Sequence, residues 1–344
     1  MTGMKKCYVK SIAQISCQDP LSDAWMDAPR ALNAPFMPAV EADARQFIAP
    51  AEARRMSRIL KRALCVSLSA LKASGIEMPD SIVTGTGMGC IDNTERFLKD
   101  LSFNGESCLS PTLFMQSTHN TISSLIAIKL KCHGYNNTYS HGGISFDSAL
   151  FDAWIQLRSG ALTSVLVGAH DEATDFMALV LNKIHSEYNI VSEASVASML
   201  SIDSTGALCE VADVRIFNDP DLQEVADYLS AAGDSALMLG TNGNPLNDKE
   251  YRRLTALLGR AMETAPLLLH FKHIFGDSPS ASATGFYTAA RVLADGHIPD
   301  ILIDSEISIP DSGKCGSRST TPSALTIINR TDGNTWSLVR LLKA

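Results

Sequence analysis

Four short segments of the chain are nearly continuous apolar runs rather than alternations of apolar and polar residues. They are SIVTGTG (81–87), SVLVGA (164–169), ALMLG (236–240) and DILID (300–304). Strands covered by helices on both faces have this pattern, whereas a strand with one solvent-facing side alternates. The pattern therefore predicts a layered α/β fold in which helices cover both faces of the sheets.

The same design occurs twice along the chain. Residues 63–89 (ALCVSLSALKASGIEMPDSIVTGTGMG) predict a helix and then a strand that ends in a glycine turn, and EVADYLSAAGDSALMLGTNGN (224–244) repeats them. FDAWIQLRSGALTSVLVGAHDE (151–172) matches FYTAARVLADGHIPDILIDSE (286–306) as helix, glycine turn and buried strand. Such self-similarity indicates an internal duplication. We expect two related halves, 1–205 and 206–344, in one compact unit.

Composition narrows the class of protein. The 344 residues are 45% hydrophobic and 19% charged, which is typical of a soluble globular protein. A net charge of -8 argues against nucleic acid or an anionic membrane as the main partner. The chain has no apolar run long enough to span a membrane, and its N-terminus lacks a signal-peptide core, so we expect a cytoplasmic protein. The eight cysteines form no CxxC pair, which favours reduced, buried thiols over a zinc site.

The segment NNTYSHGGISFDSALFDAWIQLRSG (136–160) predicts a strand, a tight turn and an amphipathic helix. This arrangement can hold a nucleophile at a helix N-terminus, where the helix dipole favours negative charge. The turn offers His141 as a candidate general base, although a histidine there also fits a hydrogen-bonded turn residue. Ser145 is a candidate nucleophile only if a base lies nearby, and otherwise caps the helix.

A second group of candidates lies in HFKH (270–273). Strand alternation would place His270 and Lys272 on one face and His273 on the other. Two close histidines raise the hypothesis of a zinc site, but no third ligand is evident, so we predict no metal.

Two further features have both a functional and a structural interpretation. GTGMG (85–89) lacks the spacing of a phosphate-binding loop, and we interpret it as a tight strand-to-helix connection. Phe176, Met177 and Met199 could line a tunnel for an acyl chain, although apolar residues belong to the core by default.

The duplication, the turn and several local motifs together resemble the β-ketoacyl synthase family of the thiolase superfamily. The similar segments are APAEARRMSRILKRALCVSLSALKASGI, SIVTGTGMGCIDNTERFL, PTLFMQSTHNTISSLIAIKLKCHG, ALTSVLVGAHDE and SEASVASMLSID. The resemblance covers most of the chain. It implies a thiolase-like fold with five αβαβα layers built from two pseudo-repeated halves.

The family's chemistry uses one cysteine and two histidines, and the resemblance implies where they should lie. Gly143 stands at the cysteine position, Gly240 at the first histidine and Asp277 at the second. The family's active-site lysine is kept as Lys272. CGSRSTTPSALTII (315–328) replaces the glycine-rich loop that gates the acyl pocket in the family.

These departures predict a catalytically degenerate member that acts like a chain-length factor, the inactive subunit beside an active ketosynthase. The resemblance implies pairing through YNNTYS (135–140), with an acyl carrier protein and acyl chains as further partners. It implies a fatty-acid or polyketide pathway, such as that of aryl polyene pigments, and no cofactor. Two alternatives stay open. One is an unconventional synthase or acyltransferase using His141, Ser145, His270 or Lys272, and the other is a homodimeric pseudoenzyme that binds acyl carrier protein.

Overall fold

The computed structural model describes residues 3–184, 189–262, 264–303, 309, 322–331 and 333–344. The strands are β1 Tyr8–Ile15, β2 Phe36–Met37, β3 Ser81–Gly85, β4 Tyr135–Tyr139, β5 Ser164–Asp171, β6 Val191–Ser192, β7 Ala194–Ser201, β8 Cys209–Asn218, β9 Ala236–Leu239, β10 Leu267–His270, β11 Ala324–Thr331 and β12 Thr335–Lys343. The helices are α1 Pro50–Ala53, α2 Arg58–Ser74, α3 Ile91–Asn104, α4 Pro111–Met115, α5 Thr121–Leu130, α6 Ser145–Ser159, α7 Asp175–Ile184, α8 Leu222–Ala232, α9 Pro245–Ala261, α10 Lys272–Phe275 and α11 Ala281–Asp295.

Ten strands of the described chain form one sheet with a mirrored order. The order is β10-β9-β11-β12-β8-β1-β7-β5-β3-β4, and β1 pairs with β8 at Tyr8–Glu210 and Val9–Cys209. Outward from this seam, the first half runs β1, β7, β5, β3 and β4, and the second half runs β8, β12, β11, β9 and β10. If the strands of each half are counted along the chain without the short β2 and β6, both halves follow the order first, last, fourth, second and third. An internal duplication produces this topology. The boundary drawn between residues 205 and 206 stays a prediction.

The helices form three layers around the two halves of the sheet. Helices α2 and α5 cover the outer face of the first half, and α8 and α9 cover the outer face of the second. Helices α6 and α11 lie between the halves, where Phe146 of α6 packs against Phe286 of α11 with ring centroids 5.4 Å apart. The fold therefore has the predicted five αβαβα layers.

One predicted strand is wrong. Residues 300–302 of DILID form a single 3-10 turn, and residue 304 lies outside the described chain. The strand that occupies the place of β5 in the second half is β11, which pairs in parallel with β9 as β5 pairs with β3. The segment ALTII (324–328) has the required apolar run, but DILID lies at the expected distance after its helix. Spacing therefore favoured the wrong segment.

Helix α2 contributes Arg62 to a group of charged side chains that is mostly buried. The fully buried Arg62 donates from Nε to Glu41 at 3.0 Å and lies 2.9 Å from a carboxylate oxygen of buried Glu193. The equally buried Glu172 accepts from the Asp92 amide at 3.2 Å, and its other oxygen has no hydrogen-bond partner among the described residues. Burial, with Glu193 nearby, raises the pKa of Glu172 to about 7, although the Asp92 amide and Arg62 oppose this shift.

We expect Glu172 to make folding stability depend on pH. Its pKa is higher in the folded chain than the ordinary 4.5, so the folded state binds the extra proton. The contribution of Glu172 to folding stability is then fully present below about pH 4.5 and falls by up to about 3 kcal/mol as pH rises through 7. Urea unfolding at pH 5, 6, 7 and 8 should give a flatter profile for Glu172→Gln than for the parent chain.

The exposed Glu106→Gln variant is the matched control, because it removes a carboxylate without changing a buried charge. If Glu172→Gln and Glu106→Gln give the same slope of unfolding free energy against pH, Glu172 is not the titrating group.

Candidate functional site

The turn between β4 and α6 holds its two candidate side chains in different ways. The Ser145 hydroxyl accepts from the His141 amide at 2.9 Å and donates to the Gly142 carbonyl at 2.7 Å. Ser145 is also fully buried, so its hydroxyl belongs to the turn, as in the structural interpretation. His141 is exposed, and its Nδ1 lies 3.0 Å from the hydroxyl oxygen of Ser148. His141 and Ser145 therefore do not form a pair of general base and nucleophile.

A side chain at Gly143 would collide with Thr331 unless that threonine moved. A Cβ added there would lie 2.6 Å from Cγ2 of Thr331, the last residue of β11. Asn329, two residues earlier on the same strand, donates from Nδ2 to the Gly143 carbonyl at 3.3 Å. The end of β11 therefore closes the place where the family's cysteine was expected.

Gly240 is enclosed in the same manner. A Cβ there would lie 2.7 Å from the Tyr251 hydroxyl and 2.8 Å from Oδ1 of Asn329. The Tyr251 hydroxyl accepts from the Arg330 amide at 2.9 Å, which fixes the ring beside Gly240. A histidine at position 240 would require both neighbours to move.

Asp277 forms a buried ion pair. Its Oδ1 lies 3.0 Å from Nζ of Lys272, and its Oδ2 accepts from Nδ2 of Asn242 at 2.7 Å. Lys272 and Asp277 are both buried, so each charge is neutralised by the other. The ion-pair partner of Lys272 is therefore Asp277, whereas Glu193 pairs with Arg62.

These residues surround a cavity of about 380 Å³. Its lining includes Gly87, Met88, His141, Gly142, Gly143, Met177, Asn242, Lys272, Asp277, Ser278, Asn329, Arg330 and Thr331. We call it the front cavity. Of the proposed site positions, 141, 143, 272 and 277 line it, whereas 145, 240 and 270 are not among its described lining residues. No cysteine is among its described lining residues.

His270 belongs to a second cavity of about 560 Å³, which we call the rear cavity. Asn242, Lys272 and Asp277 line both cavities, so the ion pair separates them. His270 is buried and its Nδ1 hydrogen-bonds with the Thr241 hydroxyl. Strand β10 ends at His270, and Lys272 begins the short helix α10, so the predicted strand alternation across 270–273 is wrong.

The glycine loop 85–89 wraps around a carboxylate. Asp171 accepts from the Thr86 hydroxyl at 2.9 Å, from the Gly87 amide at 3.0 Å and from the Met88 amide at 2.7 Å. The Ser280 hydroxyl, just before α11, donates to the same carboxylate. Burial raises the pKa of Asp171 against the effect of these donors. The loop therefore binds a protein carboxylate and forms one wall of the front cavity.

The apolar candidates separate into three environments. Met177 lines the front cavity, Met199 is fully buried in the core beside α2, and the side chain of Phe176 is 60% exposed. Only Met177 is therefore placed to contact a molecule in the cavity. Residues 315–321 of the replaced glycine-rich loop lie outside the described chain.

Three residues of this site were missed by sequence reasoning. Ser148 fixes the His141 ring, and Thr331 and Asn329 fill the space around the two glycines. Thr331 and Asn329 lie on β11, the strand that the sequence interpretation assigned to another segment. The apolar run ALTII was the signal that could have located them. Ser148 was identifiable only by its helical position relative to the turn.

Comparison with known proteins shows which family this chain belongs to. The sequence model described as "Beta-ketoacyl synthase, N-terminal domain" matches residues 23–223. A 3-oxoacyl-[acyl-carrier-protein] synthase 2 of Synechocystis sp. is 28% identical over 137 residues, which are 38% of this chain and 33% of the relative. The match therefore spans about a third of that relative's length.

Solved structures show the same fold over the whole chain. The ishigamide ketosynthase/chain length factor and a β-ketoacyl synthase from Burkholderia phymatum both have TM-scores of 0.82, at 15% and 13% identity. A type II PKS acyl-carrier protein in complex with its ketosynthase gives 0.77 at 12%. Each comparison covers 99% of this chain and 100% of the other. No helix in the described ranges is long and apolar enough to cross a bilayer. The chain belongs to the β-ketoacyl synthase family.

Proposed function

We propose that this protein is a non-condensing subunit of the chain-length-factor type, paired with an active ketosynthase in fatty-acid or polyketide synthesis. The proposal rests on one observation: the neighbours of Gly143 and Gly240 fill the space that a cysteine and a histidine would need. If catalytic residues were replaced by glycine with no other change, empty space would remain at the two positions. Here neighbouring side chains occupy that space. The third position, Asp277, is neutralised by Lys272.

The packing also indicates which chemistry is lost. Condensation in this family needs a thiolate that accepts the acyl chain and imidazoles that bind the thioester carbonyl, as the resemblance implies. Asp277 is acceptor-only when ionised, so it cannot donate a hydrogen bond to that carbonyl. Lys272 and Asn242 both engage the Asp277 carboxylate, and the Ser278 hydroxyl, which has no hydrogen-bond partner among the described residues, is a polar group of the front cavity that can contact a ligand.

We expect no stable acyl adduct on the parent protein. Incubation with acyl carrier protein charged with a labelled acyl chain, followed by intact-mass analysis, should leave the mass unchanged because no described residue of the front cavity carries a thiol. An active ketosynthase treated in parallel is the positive control. A stoichiometric acyl mass on this chain would contradict the non-condensing role.

Restoring the cysteine should require a second change. Gly143→Cys forces the new side chain against Thr331, and overpacking of this kind costs about 1–3 kcal/mol. Gly143→Cys/Thr331→Ala should recover that stability in urea unfolding. Its new cysteine should react with iodoacetamide faster than the cysteine of Gly143→Cys alone. Thr331→Ala alone is the control for loss of the threonine. Equal stability of the single and double cysteine variants would show that Thr331 does not occupy the site.

The edge of the sheet supports the pairing part of the proposal. Strand β4 is the last strand of the ten-strand order and pairs only with β3 among the described strands. Beside it, α6 exposes Phe151 and Ile155, which are 38% and 45% accessible and lie one helical turn apart. An open strand edge next to exposed apolar side chains suits a partner subunit.

Pairing can be tested by charge. Phe151→Glu/Ile155→Glu should abolish co-purification with a ketosynthase encoded beside this chain, because burial of unpaired carboxylates opposes the interface. Leu246→Glu on α9 is the matched control, since Leu246 is also exposed and apolar but lies on the outer layer. Recovery of a homodimer without any ketosynthase would favour the homodimeric pseudoenzyme instead.

A basic surface supports carrier-protein binding. Arg54, Arg55, Arg58 and Lys61 lie at the start of α2 or just before it, and none forms an ion pair with a described residue. Arg55 lines a groove of about 520 Å³ that also includes Met56 and Leu60, and Arg58 and Lys61 line a separate cavity of about 260 Å³. On a chain of net charge -8, this surface suits an acidic protein with an apolar contact, and acyl carrier protein is the candidate.

Charge reversal should weaken that binding. Arg54→Glu/Arg55→Glu should raise the Kd for acyl carrier protein by roughly tenfold or more and reduce its dependence on salt. Arg252→Glu/Arg260→Glu on α9 makes the same change of charge elsewhere on the surface. Equal losses from both pairs would mean that net charge, and not this surface, controls binding.

A further inference from the structure

The front cavity contains polar groups whose hydrogen bonds are incomplete. The Ser278 hydroxyl and Oδ1 of Asn329 both line it, and their residues are only 4% and 3% exposed. Neither atom has a hydrogen-bond partner among the described residues. Buried polar atoms are almost always satisfied in native proteins, so these two indicate a polar ligand or water in the cavity.

His141 is held in one orientation at the wall of this cavity. Its Nδ1 contacts the Ser148 hydroxyl at 3.0 Å, and its ring meets that of Tyr139 edge-on at 5.7 Å. With the serine oxygen accepting from Nδ1–H, the lone pair of the imidazole is on Nε2. A histidine whose one nitrogen is fixed by a neighbour can use the other as a base.

The backbone beside His141 is open to a reacting group. Gly142 has a φ of +56°, and nothing lies within 4 Å of the position where its Cβ would be. Gly142 precedes α6, a helix of fifteen residues whose N-terminal amides favour developing negative charge. A carbonyl can therefore approach this turn from the cavity, although position 143 is closed.

Among the described residues that line the front cavity, no side chain is activated as a nucleophile, because the Ser278 hydroxyl has no hydrogen-bond partner and therefore no base beside it. The Ser145 hydroxyl is used within the turn, and the described lining has no cysteine. Ser148 is nearly buried under His141. A base without a protein nucleophile leaves water as the attacking group.

We propose that the front cavity hydrolyses acyl thioesters, with His141 as the general base and Ser148 as its positioning residue. Water attacks the thioester carbonyl and forms the new C–O bond while Nε2 of His141 takes its proton. The C–S bond then breaks, and the imidazolium returns the proton to the departing thiolate. The products are a carboxylic acid and a thiol. This activity goes beyond the partner role proposed above and does not depend on it.

The test uses the full chain and the acetyl and butyryl thioesters of N-acetylcysteamine. Thiol release is followed with Ellman's reagent, and the acid is identified by mass spectrometry. His141→Asn keeps a polar side chain but removes the base, so it should lower kcat/KM by about 100-fold. Ser148→Ala should reduce kcat more than it changes KM.

His133→Asn is the matched control, because His133 is exposed and outside both cavities. Thermal melts confirm that each variant is folded. The proposal fails if the parent is no faster than buffer, if His141→Asn retains the parent rate, or if an acyl adduct forms on Ser148. None of these failures alters the co-purification result, so the partner role is judged separately.

Discussion

The front cavity depends on one buried carboxylate. Asp171, at the end of β5, binds the Thr86 hydroxyl and the amides of Gly87 and Met88 from the loop after β3. It also accepts from Ser280, at the start of the central helix of the other half. One side chain thus fixes the loop that forms a cavity wall and joins it to α11. Because the carboxylate is buried, its loss would leave several donors unsatisfied together.

The packing around Gly143 and the packing around Gly240 are interdependent. Asn329 contacts both glycine positions, since it donates to the Gly143 carbonyl and its Oδ1 faces Gly240. Thr331, two residues along the same strand, fills the space beside Gly143. A side chain introduced at one glycine therefore disturbs the packing around the other. Close packing of this kind transmits a change at one residue to its neighbours.

Two kinds of buried charge have different effects on the site. Lys272 and Asp277 neutralise each other, and they separate the front cavity from the rear one. Arg62, by contrast, lies among the three carboxylates of Glu41, Glu193 and Glu172, so one negative charge is poorly compensated. The first arrangement gives a fixed partition. The charges around Arg62 make the packing beneath loop 85–89 and α3 sensitive to the protonation of Glu172.

The sequence by itself determined the layered architecture, because runs such as SVLVGA require cover on both faces and the repeat requires two similar halves. It also located the turn at 140–145, since a strand followed by an amphipathic helix is a local pattern. Only the tertiary structure decided what fills the site. Thr331 lies against Gly143, and Asn329 against Gly240, across long sequence separations that no local periodicity encodes. The same reason explains the misplaced strand: 300–304 and 324–328 have similar apolar runs, and pairing with β9 selects between them.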